Sequence, residues 1–168
     1  MTKLVIQIPC FNEAETIGIT VDALPKSVPG IDEIAVLIID DGSTDDTVAV
    51  AERHGVGHSI SLPRNQGLAR AYMAGIQESI RLKADVIVNT DADNQYNAYD
   101  IEKLVAPSVS GEAESVVGAR PSSTIAHFTG RKRMWQKLGS SVVRRVSNTT
   151  VSDVTGGFGA MGGGAAQQ

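Results

Sequence analysis

Asp91 and Asp93 lie one residue apart directly after the mostly apolar run 84–89, and Gln95 follows them. Two carboxylates at the end of a strand can hold a divalent cation in the open. Mg²⁺ commonly takes one or two protein carboxylates and lets substrate phosphates complete its shell. The alternative is that both aspartates merely open a loop, because Asp favours turns. The pattern therefore allows a metal shared with a diphosphate. The choice between a metal site and a simple loop depends on the rest of the sequence.

The elements that must position these carboxylates alternate between strand and helix. Short apolar runs predict strands, and apolar residues at helical spacing predict helices. Pro9 is expected to stop the first strand, and Asn12 is expected to cap the first helix with Glu15 at the reciprocal capping position. Further helices are predicted over 43–53, 67–82 and 101–105. Strands are predicted over 4–8, 34–39, 56–62, 84–89 and 115–118.

This alternation predicts an α/β fold with a mostly parallel sheet flanked by helices. Ligands bind such sheets beyond the carboxyl ends of the strands. Three polar clusters follow the predicted first, second and fourth strands, at 9–13, 40–43 and 91–93. They are therefore expected to converge on one edge of the sheet, which is the main argument for an active site.

Composition limits the class of protein. The 168 residues suffice for one domain with a sizeable core, and the net charge of −4 argues against a general nucleic-acid binder. The single cysteine, Cys10, excludes an internal disulfide and is expected to be a small buried apolar side chain. No run approaches the ~20 apolar residues of a membrane span, and no signal peptide is recognised. A cytoplasmic protein is expected, one that can work at the inner face of the membrane.

The last third of the chain has a different charge balance. Seven of the 15 basic residues and no acidic residue fall between Glu114 and Asp153. Trp135, Leu138, Val142 and Val146 lie there at helical spacing. This stretch is either a helix packed on the domain with a solvated basic face, or a surface for an anionic acceptor or the membrane interface, centred on 125–148.

Five short motifs, in this order, resemble the family 2 glycosyltransferases with the GT-A fold, in particular the enzymes that make dolichyl- or polyprenyl-phosphate mannose. The motifs are IPCFNE at 8–13, IDDGSTD at 39–45, RNQGLA at 64–69, DADNQ at 91–95 and GAR at 118–120. The resemblance implies a GT-A domain over 1–155 with an acceptor-side segment at 118–152. The Gly/Ala-rich stretch 156–168 is expected to be a flexible or truncated tail, and its G-x-G-x-x-G pattern is not expected to bind a dinucleotide.

The resemblance also implies roles for single residues. Donor-binding roles would fall to Pro9, Phe11, Glu13, Asp40, Asp41, Asn65, Gly67, Asp91, Ala92 and Arg120. The nucleobase would be held by Asp40 or Asp41, with Asp41 preferred. A carboxylate accepts from a ring N–H, so it suits uracil, thymine or guanine better than cytosine. Mg²⁺ or Mn²⁺ would be held by Asp91, Asp93 and Gln95.

The implied reaction is an inverting transfer of a sugar from a nucleotide-diphosphate sugar to a lipid phosphate or a cell-envelope glycan. Asp153 is the candidate base, and a helix-capping role is its alternative. Gly159 stands where the family usually has Arg, which puts acceptor contacts in question. The competing hypothesis is a sugar-nucleotide-binding module without turnover, or an inactive fragment. A receiver-like signalling domain is disfavoured because its acidic pair follows the first strand, whereas Asp40 and Asp41 follow the second.

Overall fold

The computed structural model describes residues 1–92, 98–110, 115–117 and 159–162. Strands and helices alternate through the first part of the chain, as the sequence predicts. The strands are β1 (Lys3–Cys10), β2 (Glu33–Asp40), β3 (His58–Ser61), β4 (Val86–Asn89), β5 (Ser115–Val117) and β6 (Gly159–Gly162). The helices are α1 (Ile17–Asp22), α2 (Thr47–Arg53), α3 (Leu68–Arg81) and α4 (Ala98–Val109). None of these described helices is both long and apolar enough to cross a membrane.

The described strands form one sheet in the order β3-β2-β1-β4-β6-β5. The four strands from β3 to β4 run parallel, whereas β6 runs antiparallel to both β4 and β5. The predicted mostly parallel sheet is therefore confirmed. Because β1 lies between β2 and β4, the loops that follow these three strands emerge side by side at the same edge.

The middle of the sheet is buried on both faces. Leu4, Ile6 and Ile8 of β1 belong to one apolar cluster, while Val5 faces a second cluster with Leu37. This alternation follows from the two-residue period of a strand, and it explains why β1 and β2 read as continuous apolar runs. Helix α3 covers the second face closely. A Cβ atom on Gly75 would come within 2.8 Å of Ile39 Cδ1, so glycine at this position permits the close packing.

The first strand does not stop at Pro9, contrary to expectation. β1 continues to Cys10, and Pro9 pairs with Ile39 of β2. The main-chain oxygen of Gln7 accepts a hydrogen bond from Thr90 N–H, so the backbone polar groups of Gln7 face β4. Residues two apart in a strand face the same side, so the nitrogen of Pro9, which carries no hydrogen, also faces β4. Pairing of β1 with β4 has already ended at Gln7 and Asn89. Proline therefore removes no hydrogen bond from the ladder there.

The first two helices begin later than predicted. Helix α1 starts after Thr16 rather than after Asn12, and α2 starts after Asp46 rather than at Ser43. Neither Thr16 nor Asp46 makes a side-chain capping hydrogen bond. The polar residues that resembled caps are used between the two loops instead, because Asn12 N–H donates to Ser43 Oγ at 2.8 Å.

Four residues of the stretch expected to be a flexible or truncated tail form the strand β6. Gly159–Gly162 pairs with β4 on one side and with β5 on the other, inside the sheet. A Gly/Ala-rich composition suggests flexibility because small side chains bury little surface. Here backbone hydrogen bonds to two neighbouring strands hold the segment, and these bonds need no side chain.

Candidate active site

A cleft of ≈ 390 Å³ lies at the carboxyl edge of β1, β2 and β4. This volume lies within the usual range of small-molecule sites. The loops after the three strands and the segment that leads into α3 form its walls. The lining residues are Pro9, Cys10, Phe11, Glu13, Asp41, Asn65, Gly67, Leu68, Ala71, Asp91 and Ala92. The cleft thus brings together eight of the ten residues expected to bind a donor.

The loop after β1 carries Phe11 and Glu13 into the cleft. Phe11 is 41% exposed, which is unusual for a phenylalanine that lies beside an apolar core. The main-chain N–H of Glu13 donates to Thr47 Oγ1 at 2.9 Å, and Glu13 Oε2 accepts from the Thr16 hydroxyl at 2.6 Å. Glu13 is therefore held at both its backbone and its carboxylate.

The loops after β1 and β2 are joined by reciprocal hydrogen bonds. Asn12 has a positive φ of 55°, a conformation that Asn tolerates better than most residues, and its Oδ1 accepts from Thr44 N–H at 2.8 Å. Asp45 accepts from Ala14 N–H at 3.1 Å and from the Thr47 hydroxyl. The Thr47 hydrogen bond is the main reason why the pKa of Asp45 lies below its usual value. Together these hydrogen bonds fix the loop after β1, which carries Phe11.

Asp40 and Asp41 are both buried, but they have different neighbours. Asp40 Oδ1 accepts from Ser43 N–H at 2.9 Å and closes the turn, and Asp40 does not line the cleft. Asp41 lines the cleft, and its two oxygens accept from Gln66 N–H at 2.7 Å and Gly67 N–H at 2.8 Å. Of the two aspartates, only Asp41 is therefore placed to meet a bound molecule.

Two glycines allow the backbone conformation near Asn65. Gly42 has a φ of +78°, and a Cβ atom there would lie 2.5 Å from the main-chain carbon of Arg64. Gly67 has a φ of +90° but faces open space. Gly42 is thus needed for both its backbone conformation and the close approach of residues 64–65, whereas Gly67 is needed for its conformation alone.

The loop after β4 forms the opposite wall. Asp91 is half-buried and lines the cleft, and the buried Ala92 accepts a hydrogen bond at its main-chain oxygen from Thr20 Oγ1 at 2.7 Å. The carboxylate of Asp91 is a hard oxygen ligand of the kind that Mg²⁺ and Mn²⁺ prefer. Within the described residues no three His, Cys, Asp or Glu side chains are grouped as a metal site. A cation here would thus need oxygens from the donor or from the neighbouring Asp93 and Gln95.

Cys10, Leu68 and Ala71 also line the cleft, although the sequence motifs predicted no site role for them. Cys10 is 5% exposed, and burial is the main cause that raises its pKa to about 12, with Asp40 adding to the effect. The thiol is therefore neutral at physiological pH. Leu68 is 64% exposed at the first position of α3. The apolar periodicity of that helix gave no sign that this leucine faces a cleft.

Several predicted site residues lie outside the described residues. They are the metal-ligand candidates Asp93 and Gln95, the donor contact Arg120 and the candidate base Asp153. The basic segment 118–152 lies outside them as well. Their roles stay predictions from the sequence.

A sequence model of the family described as "Glycosyl transferase family 2" matches residues 5–166. The chain belongs to this family. The predicted resemblance is thereby confirmed, and the family implies that the protein is a transferase.

Two similar proteins have names that refer to a prenyl phosphate or to its mannose conjugate. A polyprenol monophosphomannose synthase of Mycolicibacterium smegmatis is 26% identical over 163 residues, covering 93% of this chain and 60% of the relative. An undecaprenyl-phosphate mannosyltransferase of Micrococcus luteus is 29% identical over 158 residues, covering 90% of this chain and 63% of the relative. The chain therefore spans less than two thirds of the length of these relatives.

The fold is also similar to that of solved glycosyltransferases. Glucosyl-3-phosphoglycerate synthase of Mycobacterium tuberculosis, crystallised with Mn²⁺, UDP and phosphoglyceric acid, superposes with a TM-score of 0.75 at 22% identity. The match covers 97% of this chain and 56% of that protein. At this identity the likeness concerns the fold, and it confirms the predicted GT-A architecture.

Proposed function

We propose that this domain transfers a sugar, with inversion at the anomeric carbon, from a nucleotide-diphosphate sugar to a prenyl phosphate or a cell-envelope glycan. One observation carries the proposal. A single cleft holds Asp41 on the β2 side and Asp91 on the β4 side, with the loop after β1 between them. The two ends of a nucleotide diphosphate need these two chemistries: an acceptor for the base and a hard carboxylate near the phosphates.

The nucleoside would occupy the β2 side of the cleft. Phe11 offers an exposed ring for stacking on the base, with Pro9 beside it. Each oxygen of Asp41 receives one backbone N–H and retains a further lone pair for a ring N–H. This chemistry favours uracil, thymine or guanine. Glu13 and Asn65 would contact the ribose, and Gly67 would let the backbone approach the diphosphate closely.

The diphosphate would lie on the β4 side. We propose that Asp91, Asp93 and Gln95 hold Mg²⁺ or Mn²⁺ together with the donor phosphates, and that Arg120 approaches the sugar or the phosphates. A bound cation would supply stabilisation of the negative charge on the departing diphosphate, worth several kcal/mol. The cation would also relieve the repulsion between Asp91 and Asp93, which is costly when both are ionised.

The acceptor would approach beyond Asp91. The names of the two relatives support a polyprenyl phosphate, whose oxygen is already an anion and needs no base. With a hydroxyl acceptor, Asp153 would take the proton. The basic segment 118–152 would face the anionic acceptor at the inner surface of the membrane, with peripheral contact through 125–148.

A thermal-shift panel of UDP-, GDP- and dTDP-sugars with Mn²⁺, Mg²⁺ or EDTA tests the proposal. A ligand at ~100 times its Kd stabilises a protein by about 2.7 kcal/mol. We expect a metal-dependent shift with one base, followed by release of that nucleoside diphosphate when polyprenyl phosphate is added. Asp91→Asn should abolish the metal-dependent part of the shift, whereas Asp46→Asn, at an exposed position outside the cleft, should retain it.

Two results would count against the proposal. A shift without release of nucleoside diphosphate, even slowly to water, would favour a binding module without turnover. Absence of a shift with every donor would remove the basis of the proposed function.

A further inference from the structure

Two buried polar side chains hold the loop after β4 from opposite ends. Thr20 of α1, which is 4% exposed, donates to the main-chain oxygen of Ala92 at 2.7 Å. Gln7 of β1 is fully buried, and its Nε2 donates to Asn89 Oδ1 at 3.1 Å. Asn89 lies two residues before Asp91, and Ala92 directly follows Asp91. The cleft carboxylate is therefore bracketed by two hydrogen bonds that water does not reach.

Neither side chain is what a core built for stability alone requires. The other buried residues of α1 include Ile17 and Val21, and the neighbours of Gln7 in β1 are Ile6 and Ile8. A buried hydroxyl or amide costs free energy unless it is hydrogen-bonded. Gln7 meets this requirement only in part, because its Oε1 has no hydrogen-bond partner among the described residues. The Thr20 hydroxyl also lies 3.2 Å from the main-chain oxygen of Thr16, within its own helix. An aliphatic side chain would avoid the cost at Gln7, so stability alone does not account for that amide.

The role of Thr20 and Gln7 follows from the backbone that their hydrogen bonds hold in place. The oxygen of Ala92 belongs to the peptide group that leads into Asp93, so the Thr20 bond orients the backbone between the two carboxylates. Two ionised carboxylates one residue apart would repel each other without a cation, so a loop geometry that keeps them close needs support from its neighbours. Mutation of residues that orient the ligands of a metal typically lowers metal affinity 10- to 100-fold.

We propose that Thr20 and Gln7 are positioning residues, which hold the loop after β4 in the geometry that accepts a cation and the donor diphosphate. The proposal rests on the proposed function. Neither residue would touch the donor, since Gln7 and Thr20 are buried and do not line the cleft. Each acts through the backbone or side chain of its partner.

The test uses Thr20→Val, which keeps the β-branched shape and removes the hydroxyl, and Thr20→Ser, which restores the hydroxyl. Gln7→Met removes the second bond at similar length. Val21→Ala is the matched control, because it opens a cavity at the next position of the same helix without removing either hydrogen bond. Calorimetry would measure the Kd of UDP, GDP and dTDP with MnCl₂ and with EDTA. Hydrogen exchange of the amides at 90–92 would be followed without any nucleotide.

We expect Thr20→Val and Gln7→Met to reduce the gain in nucleotide affinity from Mn²⁺ about tenfold. Affinity in EDTA should stay within about twofold, because the β2 side of the cleft is unchanged. Thr20→Ser should regain most of the Mn²⁺ effect. Exchange at 90–92 should accelerate in Thr20→Val but not in Val21→Ala, although Val21→Ala should lower the melting temperature.

A Thr20→Val protein that melts earlier but keeps the full Mn²⁺ gain would overturn the proposal and leave the proposed function standing. An equal loss of affinity in Mn²⁺ and in EDTA would also overturn it. If the wild-type protein shows no nucleotide binding in any condition, the proposed function fails and the positioning role fails with it. The exchange rates at 90–92 separate these cases, since they report on the hydrogen bond without the donor.

Discussion

The carboxylate of Asp41 accepts the backbone N–H of Gly67 at 2.8 Å, and so connects the end of β2 to the segment that opens α3. Its other oxygen accepts the N–H of Gln66 at 2.7 Å. One side chain thus holds the cleft wall that carries Asn65 and also faces the cleft itself. A molecule that binds Asp41 would meet a wall already in place.

Asp41→Asn should weaken nucleotide binding about tenfold or more, because the amide can accept only one of the two backbone N–H groups and leaves the other unpaired. A hydrogen bond to a charged group is worth ~1.5–3 kcal/mol. The loss should be the same with Mn²⁺ and with EDTA, as measured by calorimetry. The exposed Asp46→Asn variant is the control, and unaltered affinity in Asp41→Asn would show that the base lies elsewhere.

Phe11→Ala should weaken nucleotide binding with little change in melting temperature. Stacking of a base on an aromatic ring is worth ~1–3 kcal/mol, and a side chain that is 41% exposed contributes little to the core. Phe11→Tyr should bind as the wild type does, since the ring remains. Ile19→Ala removes another exposed apolar side chain, outside the cleft lining, and serves as the control. Equal Kd values for Phe11→Ala and Ile19→Ala would argue against stacking.

The sheet and the converging loops could be predicted from the sequence, because they depend on apolar runs and on the alternation of strands and helices along the chain. The apolar run of β2 has the pattern of a strand covered on both faces, and polar residues at the ends of three parallel strands meet at one edge. The family motifs then supplied the candidate residues. Eight of the ten expected donor contacts line one cleft, although their roles in binding stay proposals.

Predictions from the sequence were wrong or incomplete where a polar residue had two possible hydrogen-bond partners. Asn12 and Ser43 look like helix caps, yet they bond to each other's loop, which no local pattern reveals. Asp40 and Asp41 are equivalent in sequence, and only the approach of the 64–67 backbone distinguishes them. The β6 strand was missed because its small residues are held by backbone pairing, and pairing between distant segments leaves little trace in composition.

Gly42→Ala should destabilise the protein by about 1–3 kcal/mol and weaken nucleotide binding. The residue has a φ of +78°, and the new Cβ atom would lie 2.5 Å from the main-chain carbon of Arg64, which cannot move without shifting Asn65. Gly57→Ala is the matched control, since a Cβ atom there meets nothing within 4 Å. Chemical denaturation would measure both variants. Equal free energies of unfolding would mean that neither the positive φ nor the contact with the 64–65 backbone restricts this position.

Burial of Cys10 should make the protein less stable as the pH rises. Its pKa is raised from 9.0 to about 12, with burial as the main cause. Between these two values the unfolded chain has lost the thiol proton while the folded protein keeps it, so folding becomes less favourable by about 1.4 kcal/mol per pH unit. Cys10→Ala removes this contribution. Denaturation of both proteins between pH 8 and roughly 10.5 would isolate it, because all other titrating groups are shared.

The difference in unfolding free energy between wild type and Cys10→Ala should therefore be constant below pH 9.0 and change steadily above it, in favour of Cys10→Ala. The same burial predicts slow alkylation of the native thiol at pH 8, at least ~100-fold slower than in the unfolded chain, since the thiolate is the reactive form. Rapid stoichiometric alkylation of the native protein, or a pH-independent difference in stability, would mean that the thiol reaches water through the cleft. Protection of a rapidly reacting thiol by a nucleoside diphosphate would then report occupancy of the cleft directly.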